Sequence, residues 1–121
     1  MTTQNWSYYK LSGSTDGLGI LVAATGTTGT TIHTAVSGTT EYDQVFLWVT
    51  NNSASAVLLN IEYGEAGSSP TTNIQYTVPS KYGSFPILPG FPLQNGKVVT
   101  AFAGSTNVLV IHGWVLRSTT A

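Results

Sequence analysis

Cysteine is absent from the 121 residues, which excludes a disulfide framework and any thiolate metal site and fits a reducing compartment. Charge is nearly as scarce. Lys, Arg, Asp and Glu make up 7% of the chain, against about 25% in ordinary soluble domains. Lys10, Lys81, Lys97 and Arg117 are too few and too scattered to neutralise a phosphate backbone, so no nucleic-acid partner is expected. No apolar run approaches the roughly 20 residues of a membrane helix, so no membrane partner is expected either. The start MTTQNWSYYK has no basic segment leading into an apolar one, so it does not read as a signal peptide. A helical stripe of useful length is missing as well.

Motifs of chemistry are missing in the same way. No GxSxG, GxGxxG or GxxxxGK[ST] occurs. His33 and His112 stand apart, without ligand spacing to Glu41, Asp43, Glu62 or Glu65, and read as structural residues. The acids read as turn charges, or as edge charges that block strand addition. Titratable side chains are too sparse to furnish a pocket with several at once. The expectation is therefore a non-enzyme with no catalytic residue, no metal ligand and no cofactor. So little charge is also uncomfortable for a monomer surface, which points to a homo-oligomer.

What the chain does have is strand pattern. Residues 43–65 read DQVFLWVTNNSASAVLLNIEYGE. Val45, Leu47 and Val49 alternate with Phe46, Trp48 and Thr50, and Val57, Leu59, Ile61 and Tyr63 alternate with Leu58, Asn60 and Glu62. A period of two means strand, and the short polar connector NNSAS predicts an antiparallel hairpin. Further strands are expected at 18–24, 31–36, 73–79, 97–103 and 107–117. Residues 104–107 should close a second hairpin. The last strand is apolar on both faces, with Trp114 and Trp48 expected in the core. Pro86, Pro89 and Pro92 rule out a central strand over residues 83–93, leaving an apolar loop with a short edge strand at 85–88. Gln94-Asn95-Gly96-Lys97 reads as a turn.

These elements predict an all-β protein: a single antiparallel β-sandwich or jelly roll of about eight strands over residues 18–121, preceded by an extended N-terminal arm, or edge strand, over residues 1–17. Trp6, Tyr8 and Tyr9 on the arm and Phe85 and Phe91 on the Pro-rich segment are the candidate partner-binding residues. The arm aromatics either cover their own subunit or dock on a neighbour.

The segments TTIHTAV, DQVFLWVTNNSASAVLLNIEYGE, PILPGFPLQNGKVVTAFA and NVLVIHGWVLR together resemble a family of small virion proteins of tailed bacteriophages, over about residues 30–117. The resemblance implies a capsid cement (decoration) protein that bridges major capsid protein subunits. It would be a homo-oligomer with a trimer favoured, made in the host bacterial cytoplasm and located in the virion. A neck or tail accessory protein is the nearest alternative. A carbohydrate-binding sandwich module with exposed aromatics such as Trp6 or Tyr82 is the alternative of a different class. No catalytic residue comes with the resemblance.

Overall fold

The computed structural model describes residues 4–67 and 70–120; expectations touching residues 1–3 of the arm and 68–69 of the loop after residue 65 lie outside these. The described residues hold nine strands and no helix: β1 Gln4–Lys10, β2 Ile20–Leu21, β3 Thr30–Thr34, β4 Asp43–Asn51, β5 Val57–Gly64, β6 Asn73–Val78, β7 Ser84–Leu93, β8 Val98–Ala103 and β9 Leu109–Thr120. They form two antiparallel sheets. One has the order β1-β9-β4-β7, with β2 also on β9, and the other the order β3-β8-β5-β6.

The alternation along β4 builds the core as expected. Val45, Leu47 and Val49 are fully buried and face Leu59 and Ile61 of β5 and Val99 and Ala101 of β8. Leu109, Ile111 and Val115 extend the same layer along β9. This is a β-sandwich, its interior made of the inward face of each sheet.

The pairing differs from the two predicted hairpins. β4 pairs with β7 and β9, while β5 pairs with β6 and β8, so the connector after β4 crosses from one sheet to the other. Asn51 enforces the crossing. Its buried side chain donates to the Ser55 and Val78 carbonyls and accepts from the Ser53 amide and hydroxyl. The connector is thereby folded on itself and tied to the end of β6. β8 and β9 likewise belong to opposite sheets, and only β5 and β6 are a hairpin of sequence neighbours.

The proline segment forms a strand of ten residues, not a loop. It lies at the sheet edge, and its register against β4 slips twice, between Val45 and Phe46 and between Leu47 and Trp48. Edge position and irregular pairing are what three prolines require. The N-terminal segment is an edge strand as well, paired with β9 from Gln4↔Thr120 to Lys10↔Trp114. The run predicted as a strand over 18–24 is a strand only at Ile20 and Leu21, with Val22 adding backbone hydrogen bonds to Leu109 and Asn107.

Candidate functional site

Three arrangements bear on function. The first is a buried polar network between the sheets. A register shift in β3 turns His33 inward, and its side chain is 1% exposed. The Ser12 amide donates to Nδ1 (3.0 Å), which leaves Nε2 to donate to Asp43 Oδ2 (2.7 Å). Arg117 donates to the same carboxylate through Nε (2.6 Å) and a terminal nitrogen (2.9 Å), and its guanidinium lies 4.5 Å above the Tyr9 ring. Burial pushes the His33 pKa down, against the opposing pull of Asp43. Burial alone would raise the Asp43 carboxyl, but hydrogen bonds from Arg117 and His33 outweigh it and hold the pKa below the usual range.

Ser12, His33 and Asp43 resemble a hydrolase triad only as names. The imidazole takes the Ser12 backbone amide, while the Ser12 hydroxyl accepts from the Thr34 amide (2.7 Å). No nucleophile is presented, and the ring is sealed from solvent. Among the described residues no three His, Cys, Asp or Glu side chains gather as metal ligands.

The second arrangement is Glu62, fully buried on β5. Its carboxylate accepts from the Thr27 hydroxyl, the Gly29 amide (2.8 Å), the Gly67 amide (2.8 Å) and the Thr100 hydroxyl (2.6 Å). Burial would raise this carboxyl too, yet these four donors hold it ionised. Neither Glu62 nor Asp43 is the exposed turn or edge charge expected from sequence. Glu62 fastens the loop between β2 and β3 over the four-stranded sheet.

The third arrangement is the outer face of the five-stranded sheet. Phe46 is opposite Trp114 and Trp48 opposite His112 in the β4–β9 register. Their rings stack in a row, with Trp48 to Trp114 at 4.9 Å and Trp114 to Phe46 at 5.5 Å. This corrects the expectation that both tryptophans are core. Trp114 is 38% exposed and Trp48 is half-buried, because the even positions of β4 and β9 point away from the other sheet. Trp6 and Tyr8 of β1 join this face opposite Ser118 and Leu116. Trp6 also meets Tyr42 edge-on at 5.5 Å, and Tyr8 is 75% exposed. Pro86, Pro89 and Pro92 line the far side opposite Trp48, Phe46 and Gln44. Gly90 makes room there, since a Cβ would stand 2.8 Å from the Phe46 ring. Lys10 is the one formally charged side chain that the β1 and β4 registers place within this row.

The five candidate partner-binding residues do not form one patch. Trp6 and Tyr8 share the aromatic face. Tyr9 turns the other way, over Arg117. Phe85 packs at the core margin against Tyr76 and Tyr82, and Phe91 meets Tyr63 edge-on. Sequence reasoning missed Phe46, Trp48 and Trp114 as surface residues. The signal was present in β4, where each aromatic alternates with a small inward aliphatic.

Comparison with protein-family models, curated proteins and solved structures found no match.

Proposed function

We propose that this protein is a non-enzymatic structural subunit of a tailed-phage virion, a capsid cement protein that acts by burying the outer face of its five-stranded sheet. The observation that carries the reading is the row Trp6, Tyr8, Trp114, Phe46 and Trp48 laid across one sheet of a chain with only four cationic and five acidic side chains. A sheet face this rich in exposed aromatics marks an interaction surface. Phe46, Trp48 and Trp114 are held on paired strands and against each other, so they lose little freedom on docking. The phage setting and the major capsid protein as partner rest on the resemblance over residues 30–117. A neck or tail position would use the same face.

The finer fold proposed is a jelly roll. β1 and β2 take successive stretches of the same edge of β9, so nine strands fill eight places, four to a sheet. The orders β1/β2-β9-β4-β7 and β3-β8-β5-β6 support two interlocked Greek keys.

The aromatic row does not favour a sugar platform. Sugars stack on an open ring face, and both faces of Trp114 are taken by Trp48 and Phe46. Electron microscopy of purified virions locates the subunit, and light scattering gives the oligomer, a trimer being expected. Trp48→Ser with Trp114→Ser should leave a folded protein that no longer stays on capsids. Full capsid retention of that variant would remove the reading.

A further inference from the structure

β1 is the longest strand at a sheet border whose register is unbroken. Its seven residues pair with β9 without a slip. Residues 5–10 are all exposed, on both faces of the strand. Among the described residues its backbone bonds only to β9. In an antiparallel pair every second residue turns its amide and carbonyl away from the partner, so β1 presents an open row of them. Borders are ordinarily guarded by charge, proline or bulges. β1 has no proline and no bulge, and its one charge is Lys10 at the last position. The other borders differ. β7 has three prolines and two slips of register. β3 is bulged, and Ser12 and Gly13 lie along it: the Gly13 amide donates to the Ile32 carbonyl (2.9 Å) and the Thr34 amide to the Ser12 hydroxyl (2.7 Å). β6 is one residue shorter than β1 and rests Tyr76 against Phe85 of β7, ring to ring at 5.6 Å.

We propose that β1 pairs antiparallel with β1 of a second copy of this chain, across a twofold axis at Ser7. The strand's own sequence selects this occupant. A twofold across an antiparallel pair sets one residue opposite its own copy. With Ser7 at the centre, all seven residues of each strand are paired. Trp6 of one copy then falls opposite Tyr8 of the other, and by symmetry this happens twice. Cross-strand aromatic pairs of this kind stabilise a sheet. Lys10 falls opposite Gln4 and not opposite a second lysine. Centring one residue to either side leaves two residues of each strand unpaired.

The axis stands perpendicular to the sheet, so the aromatic faces of both copies lie on the same side. The row from Trp48 to Trp6 continues into its symmetric copy. The pairing thus doubles the surface that the assembly reading docks, and it rests on that reading for this use only. It adds a twofold to the threefold association expected there, joining one trimer to the next.

The chain has no cysteine, so introduced thiols report on the pairing directly. Ser7→Cys, at an exposed site, sets two thiols opposite each other across the axis. Their Cα atoms would be about 4.5 or 5.5 Å apart in either kind of antiparallel pair, within disulfide reach. Mild oxidation of the full chain should give a single covalent dimer. Asn5→Cys sets its two thiols four residues apart along the pair, about 13 Å, and should crosslink at least about tenfold more slowly. In light scattering, the mass found at low concentration should double as the concentration rises. Ser7→Lys places like charges face to face and should move that doubling to at least about tenfold higher concentration. An equimolar mixture with Ser7→Glu should restore it. If β1 instead received a strand of another protein, the free chain would neither double nor crosslink. That result, equal crosslinking of the two cysteine variants, or a doubling untouched by Ser7→Lys would each overturn the proposal. Capsid retention of the Trp48→Ser, Trp114→Ser variant tests the assembly reading alone, so either can fail without the other.

Discussion

His33 is neutral in the fold because its two ring nitrogens have opposite duties. Nδ1 must accept from the Ser12 amide while Nε2 donates to Asp43. A second proton would leave that amide facing another donor. The folded state therefore binds this proton less readily than the unfolded chain does. The stability this gives is complete above the ordinary histidine pKa of about 6.5 and is lost as the pH falls through that value toward the lowered folded one. Asp43 and Glu62 act in a lower window. Both are held below the carboxylate range, so their contribution is present above about pH 4 and is lost as the pH falls through their folded pKa values. Thermal melts against pH should show two successive declines on acidification, and His33→Gln should flatten the upper one only. Asp43→Ala leaves the buried His33 Nε2 without its acceptor and the half-buried Arg117 without its carboxylate, and chemical denaturation should register a loss of about 1–3 kcal/mol.

Elements behave according to which face they show the other sheet. Leu47 of β4 is fully buried between the sheets, so Leu47→Ala should cost about 2–5 kcal/mol in denaturant unfolding. On the outer face of the same strand pair, Trp114, in register with Phe46, makes its ring contacts in the open, and Trp114→Ala should cost only about 1 kcal/mol. The contrast reverses what side-chain size alone suggests. Strand identity was legible because period two is a local property, and β4, β5 and β9 lie where their alternation placed them. Pairing was not, because an inward aliphatic row satisfies the core equally well from beside a strand or from across the sandwich. The decision fell to Asn51, whose four hydrogen bonds look in sequence like an ordinary turn residue's. The shift in β3 hid His33 in the same way, since one slipped residue exchanges faces. Asn60 alternates with the inward residues of β5 and is nevertheless buried, beside Gln75 and Phe102, which lie far along the chain where no local pattern announces them.

At the scale of the whole molecule, nearly every strand finds its partner far along the chain. β1 closes on β9 from opposite termini, and β3 waits for β8. Such topologies fold slowly, so refolding followed by tryptophan fluorescence should take milliseconds to seconds and not microseconds. The two broad faces are also chemically unlike, one carrying the stacked aromatics and the other the buried Asn60 amide.

The prolines of β7 carry a consequence for growth. A sheet propagates into a fibre only if both of its borders can recruit another backbone. Pro86, Pro89 and Pro92 contribute no amide hydrogens, and the strand bearing them is already kinked by two slips of register. The five-stranded sheet is therefore open to extension at β1 alone. Two copies joined there would present β7 at either end and stop, so association through this sheet is self-terminating, and a protein rich in β-structure and poor in charge is kept from polymerising along it.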